Sequence, residues 1–177
     1  KQAGSGVYKL TLVSESITPW ENDLVSHDAM TKEYIVINST PGGLKKAITA
    51  ANKDYTQVRN LKITGQIDSR DFYFMRDSMT RLSALNLKEV RIKAWGRAET
   101  TNNINENDQI PGSSFYWNSS VSGSQSLTRL VLPDTLKSIG PNAFYGCKYL
   151  SGSLIIPEGV VDIQRGAFNG CTGLNGT

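Results

Sequence analysis

A single histidine, two cysteines and no apolar run longer than a few residues restrict what this chain of 177 residues can do. His27 is the lone imidazole, and no Gly-x-Ser-x-Gly elbow occurs. His27 beside Asp28 reads as a surface histidine in a cap loop rather than as part of an acid–base site, because sequence neighbours seldom form a catalytic pair. Cys147 and Cys171, far from His27, lack zinc-ligand spacing. No segment is apolar for long enough to cross a bilayer. Lys plus Arg exceeds Asp plus Glu by only 19 to 16, and the net charge of +3 is spread along the chain. That excludes the concentrated basic stripe of a nucleic-acid binder. The acidic stretch Asn103–Asp108 lacks the glycine and glutamate of a calcium loop and reads as solvated. Gly4-Ser5-Gly6 and Ser122-Gly123-Ser124 lack the strand-to-helix context of a phosphate loop. No cofactor and no metal are expected.

What the chain does have is repetition. Leu130, Pro133, Ile139, Ala143, Phe144, Gly146 and Cys147 recur as Leu154, Pro157, Ile163, Ala167, Phe168, Gly170 and Cys171, each displaced by 24 residues. A fixed period of about 20 to 29 residues with Leu-x-Leu cores is the signature of a leucine-rich repeat, whose units bury their apolar faces only against neighbours. Earlier units follow in degenerate form, with Val58, Leu61 and Ile63 standing 24 residues before Leu82, Leu85 and Leu87. The Ile139-to-Phe144 spacing returns as Ile67 to Phe72 and Ile110 to Phe115. The second unit is swollen by polar insertions near residues 94–109 and 118–126, rich in Asn, Ser, Thr and Gly, which marks surface loops.

The predicted fold is a leucine-rich repeat solenoid, α/β to mainly β. Residues 1–43 form a β-rich N-terminal cap, with strands at Val7–Val13 and Tyr34–Asn38 from their period-two alternation. Residues 44–177 form the solenoid, opening on a short amphipathic helix near 44–53. Its units lie near 58–81, 82–126, 127–149 and 150–173. Gly173–Thr177 copies the start of another unit, so the chain is expected to be truncated at its C-terminus, with any signal segment upstream of Lys1. Four parallel strands centred near 61–63, 85–87, 130–132 and 154–156 should stack about 4.8 Å apart. Leu61, Ile63, Leu85, Leu87, Leu130, Leu132, Leu154 and Ile156 would point inward, with Phe72, Phe115, Phe144 and Phe168 filling the convex side.

At Leu132-Pro133, Leu136, Ile139 and Ala143-Phe144-Tyr145-Gly146-Cys147, repeated as Ile156-Pro157, Val160, Ile163 and Ala167-Phe168-Asn169-Gly170-Cys171, the sequence resembles the BspA-like leucine-rich repeat family of bacterial surface proteins. The resemblance covers residues 127–174 closely and 44–126 loosely. It implies an exported or surface-anchored adhesion and interaction module with no catalytic residues in its motif. Ser114 departs from the motif's Ala, and no Cys follows Phe115.

Cys147 and Cys171 occupy identical repeat positions, so they form either a disulfide or a ladder of separate buried thiols. Asn38, Asn118 and Asn175 each begin a glycosylation triplet of the eukaryotic kind, incidental in a bacterial setting. The outward strand positions are where a repeat stack binds. Lys62, Asn86, Val131 and Ile155 form that column, flanked by Asn60, Ala84, Arg129 and Ser153. Tyr116 and Trp117, on an inserted loop, offer a second contact site. The expected function is a non-enzymatic module at the cell surface or outside the cell, holding a protein or glycan on Lys62, Asn86, Arg129, Val131 and Ile155. No nucleic-acid partner is expected, and a membrane anchor would lie upstream. The alternative is a structural spacer projecting another domain from the surface. An enzyme would need a deep pocket of convergent ionisable groups in residues 1–40 and the insertions.

Overall fold

β-Branched and apolar residues at alternate positions make Tyr34–Ser39 (β2) and Asn60–Ile67 (β3) strands, and they pair in parallel, with Ile37 opposite Ile63 and Val36 opposite Lys62. The computed structural model describes residues 34–96, 106–116 and 126–175, together with the backbone of Leu12–Val13. That short strand (β1) runs antiparallel to β2. Beyond β3 come Ala84–Asn86 (β4) and Arg129–Val131 (β7), both parallel, which places Leu61, Leu85 and Leu130 in one register. The sheet therefore runs without a break from the expected cap into the repeats.

Between β2 and β3, Pro41-Gly42-Gly43 breaks the chain, and the helix Leu44–Ala50 (α1) buries Leu44, Ala47 and Ile48. A second helix, Ser69–Ser78 (α2), occupies the stretch read from sequence as a degenerate repeat turn. Its start is fixed by a capping box: the Asp68 carboxylate accepts from the Arg70 N–H, and the Asp71 carboxylate accepts from the Asp68 N–H. Phe72 and Met75, one turn apart, point inward.

A second line of strands lies across the core. Val90–Ile92 (β5) pairs with the far half of β3, and Gln109–Ile110 (β6), Ser138–Ile139 (β8) and Asp162–Ile163 (β9) form a parallel sheet that aligns Ile110, Ile139 and Ile163. Two backbone bonds tie the lines together, from Lys93 N–H to Ile67 and from Asp108 N–H to Ile92. β5 is thus an extra strand on this side, where the other side has only β4 between β3 and β7. The first insertion leaves after β5 and returns before β6. Its neck is closed by Asn107, whose side-chain oxygen accepts from Ala94 N–H at 3.0 Å. Gln109, placed in that insertion from sequence, is instead a buried strand residue.

The core is a set of columns. Leu61, Ile63, Leu85, Leu87, Leu130 and Leu132 are all buried. On the opposite side the Phe115 and Phe144 rings stack at 5.6 Å and the Phe144 and Phe168 rings at 5.4 Å, while Phe72 meets Phe115 edge-on at 6.3 Å. Two residues before each stacked ring the backbone turns left-handed, at Ser113 (φ 56°), Asn142 (φ 53°) and Gly166 (φ 70°). This keeps the turns superimposable.

The expected fourth strand at 154–156 does not form. The amides of Leu154, Ile155 and Ile156 make no backbone bond among the described residues, Leu154 is half-buried, and Ile156 is 36 % exposed where Leu132 is 3 %. Among the described residues β7 pairs with β4 alone, so no ladder bonds hold this segment in the sheet.

Candidate functional site

The outward row of the first sheet is assembled by strand register alone. Val36, Lys62, Asn86 and Val131 stand directly opposite one another on β2, β3, β4 and β7. Two positions earlier, Asn60, Ala84 and Arg129 are aligned in the same way, and Arg129 is exposed. Ala84 departs from its outward assignment: it is 1 % exposed. The starts of β4 and β7 are held together by the Ser83 and Thr128 hydroxyls, 2.9 Å apart.

Two members of the row are already engaged. Lys62 Nζ lies 3.0 Å from a Glu89 carboxylate oxygen, and the Lys62 side chain is only 13 % exposed. The Asn86 side-chain oxygen accepts from the Lys88 N–H at 3.0 Å, closing the turn after β4. Val131 is half-buried. Ile155 is 73 % exposed, but it sits in the unpaired segment after β7 and is not aligned with Val131 by any strand pairing. The structure thus brings Lys62, Asn86, Val131 and Arg129 onto one face and leaves Ile155 apart from the paired row.

Tyr116 lies at the repeat turn itself, where its ring stacks on Tyr145 at 5.1 Å. Trp117 lies outside the described residues, as do His27 and Asn103–Asn105. The sequence reading missed that a tyrosine follows the phenylalanine in three units, as Phe72-Tyr73, Phe115-Tyr116 and Phe144-Tyr145. Tyr73 donates to Gly112 O at 3.3 Å, and the Arg76 guanidinium lies 4.8 Å over the Tyr73 ring while donating to Ser113 O at 2.8 Å. These contacts dock α2 on the next unit, with an aromatic strip along the outside of the turns.

Asp68 and Asp71 are buried near one another, a pattern that in other settings serves acid–base chemistry. Here both are consumed as caps. The Asp71 carboxylate accepts from Gly42 N–H at 2.7 Å, Leu44 N–H at 2.9 Å and Asp68 N–H at 3.0 Å, linking the starts of both helices. Burial pushes its carboxyl above the ordinary value, against the pull of those donors. Asp68 is engaged by the Arg70 guanidinium. Cys147 and Cys171 are free thiols and buried. Among the described residues no group of three His, Cys, Asp or Glu is placed to hold a metal, and no helix is long and apolar enough to cross a membrane.

Residues 108–176 match the family model described as a BspA type leucine rich repeat region (6 copies). The match begins 19 residues before the clean repeats at Leu127 and takes in the unit of Phe115, despite its Ser114 and missing Cys. No curated protein matches the chain.

Proposed function

We propose that this chain, whose residues 108–176 match the model of a BspA type leucine rich repeat region, is a non-enzymatic repeat module that binds a protein or glycan at the cell surface or outside the cell. In this reading residues 44–177 form a solenoid and residues 1–43 its N-terminal cap. The observation that carries it is the straight row Val36, Lys62, Asn86 and Val131 with Arg129 beside it, on strands locked in register. A rigid row loses little freedom on binding, so a few anchors suffice for affinity. Arg129 supplies a charged, exposed anchor and Val131 an apolar one.

The test is a double substitution, Arg129→Asp with Val131→Asp, assayed for binding to panels of extracellular-matrix proteins and glycans. Loss of a partner held by the parent chain, with the circular-dichroism spectrum unchanged, supports the face. Retained binding removes it, and Tyr116 and Trp117 then become the site to substitute.

A second reading has its own support. The Lys62–Glu89 pair and the Asn86 turn satisfy the row's polar groups internally, as a spacer projecting another domain would require. Replacing the repeats by an unrelated rigid segment of equal length preserves function for a spacer and abolishes it for a binder.

A further inference from the structure

The side of the stack that leads into the first sheet collects cations that lie far apart in sequence. Each unit begins on a buried residue, Val58, Leu82, Leu127 or Leu150. Within two positions of each stands one exposed cation: Arg59, Arg81, Arg129 and Lys148. No Asp or Glu falls in any of those windows. Backbone bonds lay the windows over one another, from Ser83 and Ala84 N–H to Arg59 O, from Thr128 and Arg129 N–H to Ser83 O, and from Ser151 N–H to Thr128 O. With neighbouring strands about 4.8 Å apart, the segments that carry the four cations span about 15 Å along the stacking axis. Charges spread along the sequence are thus gathered on one edge by the fold.

These cations are not spent on neighbouring acids. Arg59, Arg81 and Arg129 enter no ion pair among the described residues. The Arg81 guanidinium donates to the neutral Gln57 side-chain oxygen at 2.8 Å. The carboxylates just outside the first two windows are engaged locally, Asp54 by Thr56 and Asp77 by Arg76. Between the cations stand the Ser83 and Thr128 hydroxyls, and beside them the Tyr149 ring, 51 % exposed with the Lys148 ammonium 4.9 Å over it.

We propose that this edge binds a linear sulfated polysaccharide laid along the stacking axis, a proposal that rests on the reading of the chain as a module that meets its partner outside the cell. Four cations in so short a span call for a partner of matching charge density, whose bound counterions are released on contact. Two other polyanions fit the edge less well. A protein interface gathers apolar side chains at its centre, and those of the four windows are buried, Tyr149 excepted. Single-stranded nucleic acid asks for an aromatic platform under successive bases, and the described windows offer one ring. Sugar hydroxyls, by contrast, suit the serines, threonines and amides between the cations.

Calorimetric titration of the 177-residue chain with a heparin oligosaccharide over a salt series tests this. The expected result is binding that weakens linearly with salt on logarithmic axes. Arg59→Gln with Arg81→Gln should weaken it about tenfold and lower the salt slope by about two, and Arg59→Gln alone should lower the slope by about one. Lys137→Gln with Arg165→Gln removes the same charge beside the second sheet, where both residues are exposed, and should leave binding unchanged. The proposal is overturned by a chain that ignores heparin, by equal losses in the two double variants, or by polyglutamate or single-stranded DNA held as tightly as heparin. Arg59 and Arg81 lie outside the row Val36, Lys62, Asn86 and Val131. A chain that ignores heparin yet loses a panel partner on Arg129→Asp with Val131→Asp therefore overturns this proposal and not the binding face.

Discussion

The thiol of Cys171 donates to the carbonyl oxygen of Phe144 at 3.1 Å, and the thiol of Cys147 donates to that of Phe115 at 3.4 Å. Each cysteine thus ties its own turn to the phenylalanine of the turn before, which accounts for the residue recurring at that place without a disulfide. Burial pushes the Cys147 thiol from its ordinary 9.0 up to about 12, with the Cys171 thiol adding to the rise. In the folded chain both thiols should resist iodoacetamide near about pH 8, and both should react in denaturant.

The same burial makes stability depend on pH. The unfolded chain ionises Cys147 near 9.0 while the folded chain holds its proton to about 12. The contribution is therefore complete below the lower value and is lost as pH climbs to the upper one. The melting temperature should fall between about pH 9 and 12, and fall less steeply in Cys147→Ala, where this group no longer titrates. Parallel curves for the two proteins would contradict the assignment.

Phe144 stacks on Phe115 on one side and on Phe168 on the other. Phe144→Ala should lower the free energy of unfolding by about 3–5 kcal/mol, read as a shift in urea midpoint at constant slope. Phe168→Ala should cost less, because Phe168 is only partly buried.

Gly140 is a place where the chain admits no side chain. A Cβ there would lie 2.6 Å from Gly112 N and 2.8 Å from Ile110 O, both backbone atoms of the neighbouring turn. Gly140→Ala should destabilise by about 1–3 kcal/mol in the same assay.

Asp71 should be irreplaceable by its amide. Its carboxylate receives three N–H groups from Gly42, Leu44 and Asp68, and an asparagine would turn a donor towards one of them. Asp71→Asn should cost about 1–3 kcal/mol. It should also speed amide exchange at Leu44.

The stacking of Leu61, Leu85 and Leu130 and the phenylalanine column were legible because a fixed offset converts directly into strand register. The helix Ser69–Ser78 was not legible from the period, because Phe72 keeps the repeat spacing while the helix is set by a local signal, Asp68-x-x-Asp71 followed by Phe72 and Met75. Ile156 was assigned to the core from its 24-residue offset from Leu132, and that offset does not register that Leu154–Ile156 stays unpaired among the described residues. The strand Val90–Ile92 has no counterpart in the clean units, so period counting could not reveal it. For the candidate face, register was readable but engagement was not. Nothing in the spacing announces that Glu89 reaches Lys62 or that Asn86 closes a turn.

Successive units lie directly over one another, with Phe144 on Phe168 and Ile139 opposite Ile163. Nuclear Overhauser contacts in a labelled sample measure that most directly. Cross-peaks between the ring protons of Phe144 and Phe168, and between the amides of Lys137 and Val161, are predicted from the 5.4 Å ring spacing and the Val161 N–H to Lys137 O bond of 2.9 Å. Rings of Phe144 and Phe168 without mutual contacts, each in contact with other side chains, would contradict it.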